Sequence, residues 1–559
     1  MYPPPSKLQR QTAASELSPT QQARMVAVLH QTLQALSSGR PVELIETHIS
    51  FVLVTPEFAY KLRKAVNPGF LDFTTRERRR HDCEEELRLN RRLAPDLYLD
   101  VLRVTGSTAD PQIGGPGAPI DWLLRMRTFD QSGLWDRLAA RGELRRSHID
   151  ALAALLCRFH QDAAVADRHS RFGRRVQLRE PVLDNLLTLD EALKSAADRH
   201  RLHALQTWEA GTFASLQPVL VQRRRTGRVR ECHGDLHLGN VAQIDGRTTP
   251  FDCIEFSEDL RWIDVMSELA FMAMDLQHHG RADLAHRLVD AYLACSGDYA
   301  GARVLRYYVL YRALVRAKVA ALRLAQQAPA PASTLTSAEI DTTTTTATAD
   351  AIRPYLELAL RCSRPTRPVL MITHGPSGSG KTTLTRSLVE ASGVIRIRAD
   401  VERKRLFGLD ALARSGSPPD TGLYSTQATA ATYARLLELA AEVLAGGYSV
   451  VLDATFLQRA QRDQARHRAA EHGVRCAILD FDAEPDVLRE RVRQRAGRGD
   501  DASEADLQVL EAQLQSAEPL GTDEQAMTWR CGPAVAGADG EISADWSALV
   551  RWLAEAPIN

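Results

Sequence analysis

The sequence lacks several features that would settle its class at once. It has no run of about 18 apolar residues, the length needed to span a membrane as a helix. It has no excess charge of either sign: 70 Lys and Arg balance 70 Asp and Glu, so no general electrostatic pull draws it to nucleic acid or to an anionic membrane. Its eight cysteines include no C-x-x-C pair and no dense spacing of a disulfide framework, which points to reduced thiols in a cytoplasm. The N-terminal "MYPPPSKLQRQTAASELSP" lacks the apolar core of a signal peptide. No internal repeat is present. The expectation is a cytoplasmic protein with no membrane partner, and with nucleic acid as a partner unsupported by net charge.

What is present is an ordinary globular composition, 44% hydrophobic and 25% charged. The 559 residues exceed one hydrophobic core, so at roughly 100–200 residues per domain at least two domains are expected. Residues 326–350, "QQAPAPASTLTSAEIDTTTTTATAD", carry few large apolar groups and read as an interdomain linker. The layout expected is a flexible N-terminus at 1–25, a first domain at 26–325, the linker, a connecting helix at 351–365 and a second domain at 366–559. In the first domain two β-rich runs around Thr55-Pro56-Glu57 precede long helical patterns that begin near Leu134. In the second, "PVLMITHG", "YSVVLDAT" and "RCAILDFD" alternate with helical stretches, which predicts a parallel α/β sheet.

The strongest motif is "GPSGSGKT", comprising Gly375, Pro376, Ser377, Gly378, Ser379, Gly380, Lys381 and Thr382, between a predicted strand and a predicted helix. Its backbone N–H groups can fold around phosphate, Lys381 can reach the β and γ phosphates, and Thr382 can hold Mg²⁺. Asp400 and Arg403, in "IRIRADVERKRLF", stand where the second β run ends: a carboxylate able to take a hydroxyl proton and a guanidinium able to hold an anion. In "DVLRERVRQRAGRGDD", helical spacing puts Arg491 and Arg495 on one face, as a lid over transferring phosphate requires, while other arginines there fit a solvated face. From these residues, region 366–530 resembles the small P-loop kinases, including polynucleotide, zeta-toxin-like and gluconate-type kinases. The resemblance implies that Asp400 is the base and that Arg491 is the first lid arginine. Asp453 of "VVLDAT" is the candidate Mg²⁺ or substrate ligand, with Asp480 as its rival.

"HGDLHLGN", residues 233–240, admits two readings: a zinc cage around His233 and His237, or a catalytic loop. No companion His or Cys pair follows; instead "PFDCIEF" brings an apolar run ending in Asp252. That order, Asp235, Asn240, Asp252, is what a protein-kinase-like site supplies: a base followed by two metal-binding residues. The stretch 40–325 resembles the aminoglycoside phosphotransferase and choline-kinase-like family, whose loop reads H-G-D-x-H-x-x-N. The resemblance implies Lys61 of "FAYKLRK" as the phosphate-gripping lysine, with Glu86, or alternatively Glu85, as its helix partner. One departure is the glycine-free turn Thr55-Pro56-Glu57, where protein kinases carry a Gly-rich loop.

Together these motifs predict an α+β two-lobed protein-kinase-like domain followed by an α/β P-loop NTPase domain with a parallel sheet. The order resembles bacterial two-domain proteins that join an aminoglycoside-phosphotransferase-like domain to a P-loop kinase. The function expected is a bifunctional ATP-dependent, Mg²⁺-requiring phosphotransferase acting on hydroxyl acceptors. A second expectation makes only the P-loop domain catalytic and the first domain a binding or regulatory module. A mechanical ATPase fits less well with the short segment after Gly375 and its lid-like arginines. Neither the acceptor nor the oligomeric state is written in the motifs.

Overall fold

The computed structural model describes residues 16–67, 69, 71–327, 337–414, 422–498, 502–531, 535–536 and 542–554. The chain divides into two compact units, one formed by 1–138 with 233–262, the other by 139–232 with 263–559. These units follow a different boundary from the sequence domains: the larger holds the helices that follow the β-rich segment together with everything after the expected linker.

The smaller unit is built on a six-stranded antiparallel sheet. In spatial order its strands are Glu43–Glu46, Ser50–Val54, Phe58–Arg63, Asp121–Arg127, Tyr98–Ser107 and Asp110–Ile113. Met25, Val26 and Leu29 pack with Phe51, Leu53, Leu62, Val104 and Leu123 into one buried cluster. Those three residues belong to helix Pro19–Leu36, which starts inside the N-terminus expected to be flexible. The cause is local: Ser18 and Gln21 form a capping box and Pro19 occupies the first turn, where it forfeits no hydrogen bond. Residues 1–15 of that expected segment lie outside the described residues.

The larger unit begins with helices, chief among them Arg146–Asp162, Arg175–Ala192, Ala196–Arg225, Val265–His278, Ala282–Ser296 and Ala302–Gln327. Helix Ser337–Ser363 takes in most of the expected linker and all but the end of the expected connecting helix. Residues 328–336 of that linker lie outside the described residues. A five-stranded parallel sheet follows, in spatial order Ile395–Arg398, Val450–Asp453, Val369–His374, Arg475–Asp480 and Thr528–Arg530. The central strands are apolar and buried on both faces, as parallel sheets require. The three strands read from sequence are all here, as is Ile395–Arg398, the β run expected to end before Asp400; the edge strand Thr528–Arg530 is an addition. The expectation of reduced thiols is corrected at one pair, for Cys157 and Cys295 are joined in a disulfide across helices Arg146–Asp162 and Ala282–Ser296. These two cysteines lie 138 residues apart, so spacing along the chain could not reveal the pair.

Candidate active sites

In the smaller unit, strand alternation sends Lys61 and Arg63 off the same face of the sheet. Helix Arg76–Asn90 carries Asp82 and Glu86 four residues apart, hence on one face of its own. Lys61 Nζ lies 2.7 Å from Glu86 Oε1 and 3.4 Å from Asp252 Oδ1. Glu85, the alternative partner, instead pairs with Arg88 at 2.8 Å. Arg63 takes the second Glu86 oxygen at 2.6 Å and also bonds Asp82 and Glu255. Three buried carboxylates thus meet two cations. Burial disfavours the charge on Lys61, but Glu86, with help from Asp252 and Glu255, more than reverses this and holds the ammonium above its ordinary pKa. Burial also pushes the Glu255 carboxyl up to about 8, against the pull of Arg63.

The histidines of the 233–240 loop hydrogen-bond backbone groups. His233 Nε2 meets the Phe251 carbonyl oxygen at 2.8 Å, while its Nδ1 accepts the Asp235 backbone N–H at 3.3 Å. His237 Nδ1 accepts the Gly239 N–H at 3.1 Å. Gly234 sits at φ +90°, with space for a Cβ closed by the Leu260 carbonyl oxygen 2.8 Å away, so only glycine fits this bend. The loop then presents Asp235 beside Asn240, whose Nδ2 donates to the Asp235 backbone oxygen at 3.0 Å and to Oδ2 at 3.1 Å. The Asn240 backbone oxygen accepts the Phe251 N–H at 2.9 Å. Asp252 adopts a left-handed φ of +62°, and its N–H donates to Tyr98 Oη at 3.1 Å. The glycine-free turn closes on itself, Thr55 N–H donating to the Phe58 oxygen at 2.8 Å and Phe58 N–H to Thr55 Oγ1 at 3.0 Å.

In the larger unit, the P-loop joins strand Val369–His374 to helix Lys381–Ser392. Gly375, Gly378 and Gly380 all have positive φ, and a Cβ on Gly375 would lie 2.4 Å from the Phe481 carbonyl oxygen. Lys381 Nζ donates to the carbonyls of Gly375 at 2.8 Å and Pro376 at 2.7 Å, and to Ser379 Oγ at 3.3 Å. Burial pulls the Lys381 pKa down to about 8, only partly offset by Asp453 and Asp400.

A cavity of about 790 Å³ opens over the loop, lined among others by Lys381, Thr382, Asp400, Arg403, Asp453, Arg491 and Arg495. Asp453 Oδ2 is buried there without a hydrogen-bond partner, with Arg398 Nε 3.9 Å away, an oxygen of the kind a divalent cation satisfies. Asp480, its rival, is paired with His374 at 2.7 Å. Asp400 falls in the first turn of helix Ala399–Leu406. Arg403 Nη1 is held by the Leu423 oxygen at 2.9 Å and Thr429 Oγ1 at 3.1 Å. Of the arginine-rich helix, Arg491 reaches the Gly378 oxygen at 3.2 Å and Arg495 the Ala505 oxygen at 2.8 Å, both at the cavity. Arg489 turns away to Glu511 and Asp486. The side chain of Arg498 lies outside the described residues.

Sequence reasoning missed Arg63, Asp82 and Glu255 around Lys61, and Arg396 beside the P-loop. The i, i+2 relation of Lys61 to Arg63 was the available signal for the first. Asp82 and Glu86, one helical turn apart, were a weaker one.

Two family models match the chain: the phosphotransferase enzyme family over residues 58–305 and an AAA domain over 370–520. Uncharacterized proteins of Mycobacterium tuberculosis and Mycobacterium bovis are 31% identical over 468 residues, covering 83% of this chain and 88% of theirs. Among solved structures, a choline/ethanolamine kinase family protein from Mesorhizobium loti aligns over 60% of this chain and 99% of its own, with 13% identity and a TM-score of 0.34. A putative kinase from Chloroflexus aurantiacus aligns over 34% of this chain and 96% of its own, with 21% identity and a TM-score of 0.25. The two family matches follow one another along the chain, a phosphotransferase-family span and then an AAA-domain span that takes in the P-loop.

Proposed function

We propose that this chain, which belongs to the same family as those mycobacterial proteins, is a bifunctional ATP-dependent kinase that phosphorylates hydroxyl groups at two nucleotide sites. The observation that carries the reading is that each compact unit sets a lysine near carboxylates, Lys61 beside Glu86 and Asp252 in one, and Lys381 in a cavity with Asp400 and Asp453 in the other. In the first site Lys61 would grip the ATP phosphates, oriented by Glu86. Asp235 would accept the proton of the attacking hydroxyl, held in place by Asn240. In the second, the P-loop N–H groups and Lys381 would cradle the phosphates, Asp400 would act as base, and Arg403, Arg491 and Arg495 would neutralise charge on the transferring group.

Asn240 and Asp252 would hold Mg²⁺ in the first site, Thr382 and Asp453 in the second. When bound, the ion would supply positive charge against the phosphate groups. The oxygen donors fit a hard cation, and the Asp453 Oδ2 that lacks a hydrogen-bond partner supports that fit. Catalysis by the P-loop site alone is the second reading. The self-closed Thr55-Pro56-Glu57 turn favours it, since it offers no glycine-rich cover for phosphate.

Counting bound non-hydrolysable ATP analogue on the full chain separates the two. The expected result is two per chain, with Lys61→Ala and Lys381→Ala each removing one. A single nucleotide, lost on Lys381→Ala and untouched by Lys61→Ala, would restrict catalysis to the P-loop site.

A further inference from the structure

Helix Ala282–Ser296 lies within the span matched by the phosphotransferase family, yet its side chains engage the P-loop domain at three places in the same compact unit. At the far end of the P-loop helix, Glu390 is taken by Arg287 at 2.6 Å, and His286 Nδ1 lies 3.0 Å from the Glu390 backbone oxygen. Arg146, from a neighbouring helix, takes the other Glu390 oxygen at 2.9 Å. At the helix carrying Asp400 and Arg403, Arg405 Nη2 donates to the carbonyls of Ala294 at 2.5 Å and Cys295 at 3.2 Å.

The third contact reaches the phosphate site itself. Asp290, buried, accepts the Arg396 backbone N–H at 2.9 Å and its Nη2 at 3.1 Å. The same guanidinium, through Nη1, donates to the Thr382 backbone oxygen at 2.8 Å. Thr382 is the residue whose hydroxyl faces the phosphate-bound cation in a P-loop. The contacts are close: a Cβ on Gly393 would meet the His286 ring at 2.8 Å.

We infer that Asp290 and Arg396 are positioning residues of the P-loop site, a two-membered relay by which a helix of the first family domain fixes the peptide of Thr382 and so the P-loop's grip on Mg²⁺-nucleotide. The inference rests on the phosphotransferase reading of the P-loop. The Arg396 guanidinium gives one nitrogen to the Asp290 carboxylate and another to the Thr382 carbonyl, two donors fixed in one plane that a lysine point charge cannot reproduce. The relay makes the P-loop site depend on residues nearly a hundred positions upstream of it, so the second domain is not autonomous in function.

The test uses the full chain carrying Asp235→Asn, so that ATP turnover reports the P-loop site, with turnover measured across a Mg²⁺ titration. Asp290→Asn and Arg396→Lys should each raise the half-saturating Mg²⁺ concentration and lower kcat by roughly tenfold, as expected for residues coupled through a shared partner. The double variant should be no worse than the more affected single one. Asp283→Asn, on the same helix but hydrogen-bonded to Arg281 beside it and not to Arg396, should leave both values unchanged. A Mg²⁺ requirement unchanged in both single variants, or effects that multiply in the double variant, overturns the relay. If Asp290→Asn fails to fold, Arg396→Lys decides alone. Turnover that survives Lys381→Ala in this background overturns the P-loop reading itself, a different failure from the relay's.

Discussion

The two lysines that anchor the two sites are kept in opposite conditions. Lys61 is surrounded by carboxylates and held above its ordinary pKa, whereas Lys381 is buried against backbone carbonyls and pulled down to about 8. The first is paid for by its protein neighbours whether or not a nucleotide is present. The second has two carboxylates at a distance and carbonyl dipoles close by, so its charge becomes fully favourable only when phosphate arrives. One site is preorganised by an ion-pair network; the other is a charge waiting for its partner.

The sharpest way to break the comparison is to delete each lysine. Lys381→Ala should lower P-loop turnover by at least about a hundredfold, because phosphoryl transfer depends on such fixed cations. Lys61→Ala should do the same at the first site. Both are read as acceptor-independent ATP turnover and bound nucleotide in the full chain. Turnover unchanged by either substitution removes that lysine from the chemistry.

Next in size is the network itself. Glu86→Gln withdraws the carboxylate that Lys61 and Arg63 share and should destabilise the protein by roughly 3–5 kcal/mol, the cost of stranding a buried charge. Urea unfolding of the full chain measures it. Among the described residues no such ion-pair network surrounds Lys381, and a loss below about 1 kcal/mol would mean the first site is not built on this network.

The third difference is in protons. With the free Lys381 pKa lowered to about 8, the lysine is mostly neutral above that pH, and bound phosphate must restore its charge. The bound-state pKa is therefore the higher one, so affinity is fully present below about pH 8 and falls by up to about tenfold per unit as pH rises above it. Calorimetry in buffers of different ionisation enthalpy should show uptake of nearly one proton per nucleotide near pH 9 and almost none near pH 7. Lys61, already charged across this range, should take up none. Proton uptake that persists in Lys381→Ala would assign it elsewhere. The smallest expected effect is at the lid: Arg491→Ala should slow the P-loop site, whereas Arg489→Ala, whose guanidinium is turned to Glu511, should change turnover by less than about twofold.

The sites and their supports differ in how far the sequence exposed them. "GPSGSGKT" and "HGDLHLGN" were legible because phosphate cradling and a catalytic loop demand fixed residue types at fixed spacings. The choice of Glu86 over Glu85, and of Asp453 over Asp480, was not: one helical or strand position separates each pair from a plain charge-capping role. Only the partners, Lys61 and Arg63 for Glu86 and His374 for Asp480, decide them. The boundary at residue 26 failed because a capping box at Ser18 outweighs the proline-rich segment before it. The linker failed from Ser337 onward, where threonine-rich composition suggested coil and the backbone is helical. The disulfide and the Arg396 relay join residues far apart in the chain, and pairing of that range leaves no local pattern to read.

The seat of helix Ala282–Ser296 also bears on how such a gene can be rebuilt. The two family spans end and begin at residues 305 and 370, which looks like a natural seam for exchanging modules. Recombination at that seam would deliver a P-loop domain whose Arg396 and Glu390 meet a foreign helix, so most chimaeras would inherit an intact motif in an unsupported frame. By the inferred relay, exchange would require Arg287 and Asp290 to travel with the P-loop or to be matched in the recipient.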